Sequence, residues 1–183
     1  DVVIAMVHFG EEYQRNPNRK QKQTVEAFAK AGADVILGSH PHILQNLEWH
    51  TVSQNGIEKN VLVAYSMGNF ISSQIQRDSI LKDIGAILKF RIKKSQEGIT
   101  IDQLSVMPTY SYWNSREIGV VPLIKAYHDL KSYPFLTQRG RRDIKRSKQQ
   151  TIDVLTSTLK KQYEIDTVSG FINFSQEPQH LAP

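Results

Sequence analysis

Residues 32–42 read GADVILGSHPH, and the fold turns on how that stretch is taken. Residues 34–38 read as a buried strand around the apolar run Val35-Ile36-Leu37, the pattern of a strand covered on both faces, as in a parallel sheet. The run ends in His40 and His42, held one residue apart by Pro41. A core strand has no use for imidazoles at its tip, so the stretch reads as a structural strand delivering chemistry to its end.

Upstream, residues 2–7 (Val-Val-Ile-Ala-Met-Val) make a second continuous apolar run, followed at once by His8. The spacing predicts another strand buried on both faces. Between the two runs a polar loop holds Asn16-Pro17-Asn18, and residues 19–31 carry a helical pattern, with Val25, Phe28 and Ala29 at i, i+3 and i+4 and Gly32 as its end. Strand, helix and strand in that order give a βαβ unit with parallel strands and a right-handed crossover. His8, His40 and His42 then share the carboxyl edge of the sheet, where open α/β sheets place their ligands. Neighbouring strands lie about 4.8 Å apart, close enough for side chains at two strand ends to meet at one ion. Pro41 pushes His40 toward extended backbone, and in an extended segment residues i and i+2 face the same side. His40 and His42 are therefore expected to act as a pair, each offering a neutral nitrogen to a divalent metal. Ser39 either orients an imidazole or meets a ligand. Three imidazoles bring no charge, and hard divalent ions take carboxylates as well. Glu11 and Glu12 follow His8, each readable as a ligand, as a carboxylate supporting a ligand, or as a solvated loop acid. A self-sufficient three-histidine zinc site with an open position stays open as well. His50, His128 and His180 read as surface or satisfied core residues.

Downstream the pattern changes. Residues 47–52 and 61–65 flank Asn55-Gly56, which predicts a hairpin with a loop longer than two residues. Ala86, Leu88, Phe90 and Ile92 alternate with Lys89, Arg91 and Lys93, a strand with one wet face, and residues 95–98 turn it into a partner over 99–106. Residues 110–122 show no clear pattern. A long helix is predicted from about 141 to 164, with Ile152, Leu155, Leu159 and Tyr163 on one stripe. Residues 165–183 show no usable period and read as a loosely packed tail. No repeat and no boundary divides residues 1–183, so α/β layers in one domain are expected.

The 183 residues suffice for one real core, and no stretch is long and apolar enough to span a bilayer. The chain opens on Asp1-Val2-Val3, inside an apolar run, and is read as part of a longer protein. Cysteine is absent, which excludes disulfides, thiolate metal sites and a cysteine nucleophile. The net charge of +5 is concentrated in residues 139–148, where Arg139, Arg141, Arg142, Lys145, Arg146 and Lys148 face a single acid, Asp143. Arg141, Arg142 and Lys145 are the candidates for binding a polyanion, against the alternative of a solvated helix start. The aromatic interleaving of single-strand nucleic-acid platforms is missing there, and nucleic acid is not expected as a partner.

HFGEEY at 8–13, GADVILGSHPHILQNLE at 32–48 and YSMGNF at 65–70, with Pro17 and Gln21 between the first two, together resemble the capsule-biosynthesis CapA (PgsA) family of poly-γ-glutamate synthesis proteins. The resemblance is close over residues 1–75 and general beyond. It implies the calcineurin-like metallophosphoesterase fold, a two-sheet sandwich flanked by helices, of which this chain would be the C-terminal portion. It implies that His8, His40 and His42 are metal ligands, with His8 and His42 also catalytic. Glu12 and Tyr13 match the end of the first block. Asn69 falls where the fold returns a loop to the site, and reads equally as a turn residue. The family's earlier Gly-Asp, Asn-Leu-Glu and Asn-Asn-His blocks would precede His8, and nothing ahead of His8 carries them.

Two functions follow as expectations. One is metal-assisted hydrolysis or transfer at a phosphoryl centre, or secondarily an amide, with two divalent ions (Mn, Fe, Zn or Mg) about 3.5–4 Å apart activating a bridging hydroxide. The other is a non-catalytic, membrane-anchored accessory of a polymer synthesis complex, facing outward at the cell surface through a segment ahead of Asp1 and binding metal or a polyanionic chain alongside the other subunits.

Overall fold

The computed structural model describes residues 1–54, 56–72, 80–96, 98–159, 162–175 and 178–182. The predicted βαβ unit opens the chain as β1 (Ile4–His8), α1 (Arg19–Lys30) and β2 (Val35–Ser39), with β1 and β2 parallel and His8 paired with Ser39. A reciprocal box starts α1: the Asn18 side chain accepts from the Gln21 amide at 2.9 Å while the Gln21 side chain accepts from the Asn18 amide at 3.1 Å. Gly32, at φ +107°, carries the chain out of the helix in a conformation that a β-carbon would oppose.

β3 (Leu47–Gln54) and β4 (Ile57–Ala64) form the hairpin, and β4 lies parallel to β2, giving a sheet of order β1-β2-β4-β3. The strands run further than predicted. Gln54 pairs with Ile57, so only positions 55 and 56 join them, not a longer loop. Gly56 adopts φ +79°, the positive value a two-residue hairpin demands, and Asn55 lies outside the described residues.

The second sheet is antiparallel. β5 (Ile84–Ser95) and β7 (Ile118–Pro122) both pair with β6 (Gly98–Trp113), which also takes β10 (Gln179–Ala182) and β9 (Ile172–Phe174), with β8 (Tyr163–Ile165) beyond β9. The partner strand predicted over 99–106 is thus twice as long, and the patternless 110–122 stretch is its end plus β7. α2 (Leu123–His128) and α3 (Gln138–Thr156) complete the chain. The predicted helix stripe runs past the real end: Ile152 and Leu155 are buried in α3, but Tyr163 belongs to β8 and is 42% exposed. Residues 165–183 contain β9 and β10, with Ile172, Phe174 and Leu181 buried.

Alternation explains the layers. Val35, Leu62 and Ala64 face the second sheet and share a core with Ile84, Ile101, Leu104, Val106 and the α3 residues Ile144, Ile152 and Leu155. Ile36, Val61, Val63 and Tyr65 face the other way, onto Val25 and Ala29 of α1. The fold is an α/β two-sheet sandwich with helices against it. Each such fully buried aliphatic side chain contributes roughly 1.5–3 kcal/mol of transfer free energy.

β1 departs from the expectation of burial on both faces. Ala5 and Val7 pack on the α1 side, while Ile4 is 47% and Met6 85% exposed. Among the described strands β1 pairs with β2 alone, so it is an edge strand, with nothing described covering its second face.

Candidate functional site

The parallel pairing of β1 with β2 sets His8 against Ser39, and His40 follows one residue later. The His8 and His40 ring centroids lie 4.6 Å apart, and His40 and His42 lie 6.1 Å apart. The three imidazoles therefore share one corner at the carboxyl edge of the first sheet. The backbone that brings them there is not the extended segment predicted. His40 adopts φ 99° and His42 φ 58°, so the chain bends at each instead of alternating. Proline at 41 constrains its neighbour but does not prevent this turn, which returns the Pro41 carbonyl to the Tyr13 amide at 2.8 Å.

Gly38 lets the strand end sit this close to its neighbours. A β-carbon there would stand 2.1 Å from the Tyr65 carbonyl oxygen and 2.6 Å from the Phe9 ring. The contact admits the YSMGNF segment, whose Met67 amide donates to the Gly38 carbonyl at 3.1 Å. Gly68, at φ +65°, would place a β-carbon 2.4 Å from the Ile84 carbonyl oxygen, so only glycine allows this loop to lie on the start of β5. Asn69 is thereby fixed. Its side-chain amide donates to the Lys82 carbonyl at 2.9 Å, and its Oδ1 faces His42 Nδ1 at 3.0 Å. An amide oxygen only accepts, so His42 Nδ1 carries the proton and the lone pair is left on Nε2. Asn69, open as a turn residue or a site residue in the sequence, is in contact with the histidine corner.

The other candidates divide. His8 Nδ1 lies 3.2 Å from Ser39 Oγ, so Ser39 orients an imidazole. Glu12 Oε1 is 3.7 Å from His42 Nε2. The Tyr13 ring lies 6.2 Å from that of His42, with Lys82 Nζ 3.5 Å from the tyrosine centroid. Glu11 turns away and accepts from the Asn18 side chain at 3.2 Å. His50 bonds Glu26 at 2.7 Å, His128 stands beside Tyr127, and His180 is exposed on β10, all away from the corner. Among the described residues, no group of three or more His, Asp or Glu side chains stands together as a set able to hold a metal ion. The rings are neighbours without a converged donor set.

Two contributors were not singled out from the sequence. Lys82 is 4% exposed at the edge of the corner and carries no motif that marks it. Gln45 is fully buried, accepting from the Gln21 side chain and donating to the Gln14 carbonyl, each at 2.8 Å, which ties the loop after β1 to the loop after β2. A glutamine inside the apolar run ILQNLE was its signal.

On α3, Arg139 reaches Asp143, and Arg141 donates to the Leu136, Leu130 and Tyr133 carbonyls at 3.2, 2.9 and 2.9 Å. Arg142 and Lys145 are exposed. Of the three polyanion candidates, Arg141 is thus committed to its own backbone.

Residues 1–74 match the family described as Bacterial capsule synthesis protein PGA_cap. Over that region, about the first two fifths of the chain, it is similar to the PGA_cap family. The histidine corner, with Glu12, Tyr13, Ser39 and Asn69, lies wholly inside it. The chain is 35% identical over 101 residues to the PGA biosynthesis protein CapA of Bacillus subtilis (strain 168), covering 54% of this chain and 23% of that protein. It is 38% identical over 74 residues to the Capsule biosynthesis protein CapA of Bacillus anthracis, covering 40% of this chain and 16% of that one. The matched region thus spans under a quarter of either relative's length.

Asn69→Ala removes the acceptor that holds His42 in one tautomer. A lost partner of this kind typically weakens a histidine's metal affinity by about 10–100-fold. Titration of zinc or manganese into the full-length protein, compared with the parent, checks this, and Asn69→Asp, which keeps an acceptor, should recover most of the loss.

Proposed function

We propose that this corner is part of a metal-dependent site for phosphoester hydrolysis or transfer, serving capsule or poly-γ-glutamate synthesis at the cell surface. The observation that supports the reading is the chain from the Lys82 carbonyl through Asn69 to His42, which leaves Nε2 as a free donor. Metal-binding histidines are characteristically oriented in this way by an oxygen on the second ring nitrogen. Ser39 holds His8 at Nδ1 in a comparable arrangement. His8, His40 and His42 would hold divalent metal, with Glu12 supplying charge, and acids from elsewhere in the full-length protein would complete a pair of ions. Such ions polarise a phosphoryl oxygen and generate hydroxide at neutral pH. Glu12 would then orient the incoming group, and the Lys82 ammonium adds positive charge beside Tyr13 where an anionic substrate would lie.

The test is metal analysis of the full-length protein together with hydrolysis of a generic phosphate monoester. His40→Ala and His42→Ala are each expected to lower the rate at least about a hundredfold, in line with removing an activating group. Bound metal with no ester cleavage, or cleavage indifferent to both substitutions, would sink the catalytic reading. A second reading rests on the exposed Arg142 and Lys145 of α3. Here the protein is an accessory that binds an anionic polymer within a larger complex, and polymer retention should fall when both are neutralised.

A further inference from the structure

Away from the histidine corner, where β6 meets the start of α3, lies a polar cleft lined by Asp83, Tyr110, Trp113, Thr137 and Arg139, and by the Ser72 and Ser111 pair. All but Ser72 fall outside residues 1–74.

Two of its polar groups have no hydrogen-bond partner among the described residues. Tyr110 is 4% exposed, yet its hydroxyl makes no hydrogen bond among the described residues. That hydroxyl stands 3.5 Å from where a β-carbon on Gly140 would be, so it faces the first turn of α3 across the cleft. The Asp83 carboxyl has no hydrogen-bond or ion-pair partner among the described residues either. Desolvation raises it to about 6, with Asp143 adding to the rise and Arg139 opposing it. A partly buried carboxyl with no partner among the described residues is a candidate to meet a cationic group of a ligand.

The opposite wall is positive. Arg139 engages Asp143 through Nε at 3.3 Å and is 43% exposed, and its terminal nitrogens have no partner among the described residues. Thr137 caps the Gly140 amide at 3.1 Å, and the first turn of the 19-residue α3 contains no acid to offset its dipole. Trp113, 55% exposed, supplies an aromatic wall. One corner thus suits an anion, the other a cation, and a buried phenol lies between.

We propose that this cleft binds a small zwitterion: an α-amino acid, or the end of a peptide-like chain that presents an ammonium and a carboxylate. The carboxylate meets Arg139 and the first turn of α3, the ammonium meets Asp83, and Tyr110 supplies the remaining hydrogen bond. A simple polyanion is disfavoured by Asp83 and Asp143, and a simple cation by Arg139. The assignment is independent of the metal-site reading.

Calorimetric titration of the full-length protein with glycine and with a dipeptide tests it. Saturable binding of either supports the proposal, and the stronger of the two identifies the source as free amino acid or chain end. Acetate and methylamine should each bind at least tenfold more weakly. Asp83→Asn and Arg139→Gln should each weaken zwitterion binding at least tenfold, while His42→Ala leaves it unchanged. Asp83→Asn is expected to fold: it removes a carboxyl held above its ordinary value, so its unfolding midpoint at pH 7 should rise. That advantage should shrink as pH falls through about 6 and vanish only well below the ordinary carboxylate value of 3.8, where the parent carboxyl is protonated in both folded and unfolded states. No saturable binding of either zwitterion, acetate binding as tightly as glycine, or binding that survives both substitutions would overturn the assignment.

Discussion

Replacing Asp34 with alanine is expected to lower the unfolding free energy by about 3–5 kcal/mol, the usual cost of stranding one member of a buried ion pair. Asp34 stands at the start of β2 and is 4% exposed. One carboxylate oxygen accepts from the Val3 amide at 2.7 Å, and the other meets Lys59 Nζ at 2.8 Å. Lys59, itself 8% exposed, also donates to the Gly32 carbonyl at 3.0 Å. One aspartate therefore ties the segment entering β1, the turn after α1 and strand β4 together. Without it the Lys59 ammonium is left in a dry site with a single carbonyl, and the Val3 amide is orphaned. Urea unfolding read by circular dichroism gives the number, and an unchanged slope would confirm that the native fold survives. Asp34→Ala combined with Lys59→Met should cost far less than Asp34→Ala alone, because removing both charges removes the desolvation problem. A loss below about 1 kcal/mol for the single variant would mean that Lys59 reaches water and the pair is not buried in solution.

The second large effect is expected at Arg141. Its guanidinium satisfies three carbonyls, those of Leu130, Tyr133 and Leu136, which cluster in the loop between α2 and α3. Hydrogen bonds to a charged donor are worth more than neutral ones, and partly buried acceptors left unmet add a penalty. Arg141→Ala should therefore cost about 2–4 kcal/mol. Arg141→Lys keeps the charge but loses the planar fork and should recover less than half. The neighbouring Arg142→Ala, at an exposed position, should fall within about 0.5 kcal/mol of the parent. If instead Arg141→Ala left stability intact and weakened retention of an anionic polymer, the residue would belong to a binding face and not to the loop.

These two residues show where sequence reading succeeds and where it stops. The βαβ unit was legible because two apolar runs and a helical period lie in contiguous windows, and the histidines were legible because they terminate those runs. The open face of β1 was not, since an apolar run implies burial without saying what covers it. The far end of α3 was misjudged because Tyr163 keeps the helical spacing of the stripe after the chain has turned into β8. β6 was cut short because its distal half mixes Pro108 and hydroxyl residues with aromatics, and its pairing with four other strands is set by tertiary contacts. Arg141 looked like one cation in a basic run; only the path of the α2–α3 loop shows its charge turned inward. Asp83, Tyr110 and Arg139 are far apart in sequence, and no spacing announces their cleft.

The left-handed backbone at Tyr13, His40 and His42 has a bearing on how the corner evolves and responds. Each such residue raises the energy of the folded chain by about 1 kcal/mol or more relative to glycine, and surrounding contacts hold it there. The backbone shape of the corner is consequently fixed when the protein folds. The same tension sets stability and chemistry against each other: glycine at these positions would relax the main chain while erasing the rings, so selection for robustness alone would empty the corner.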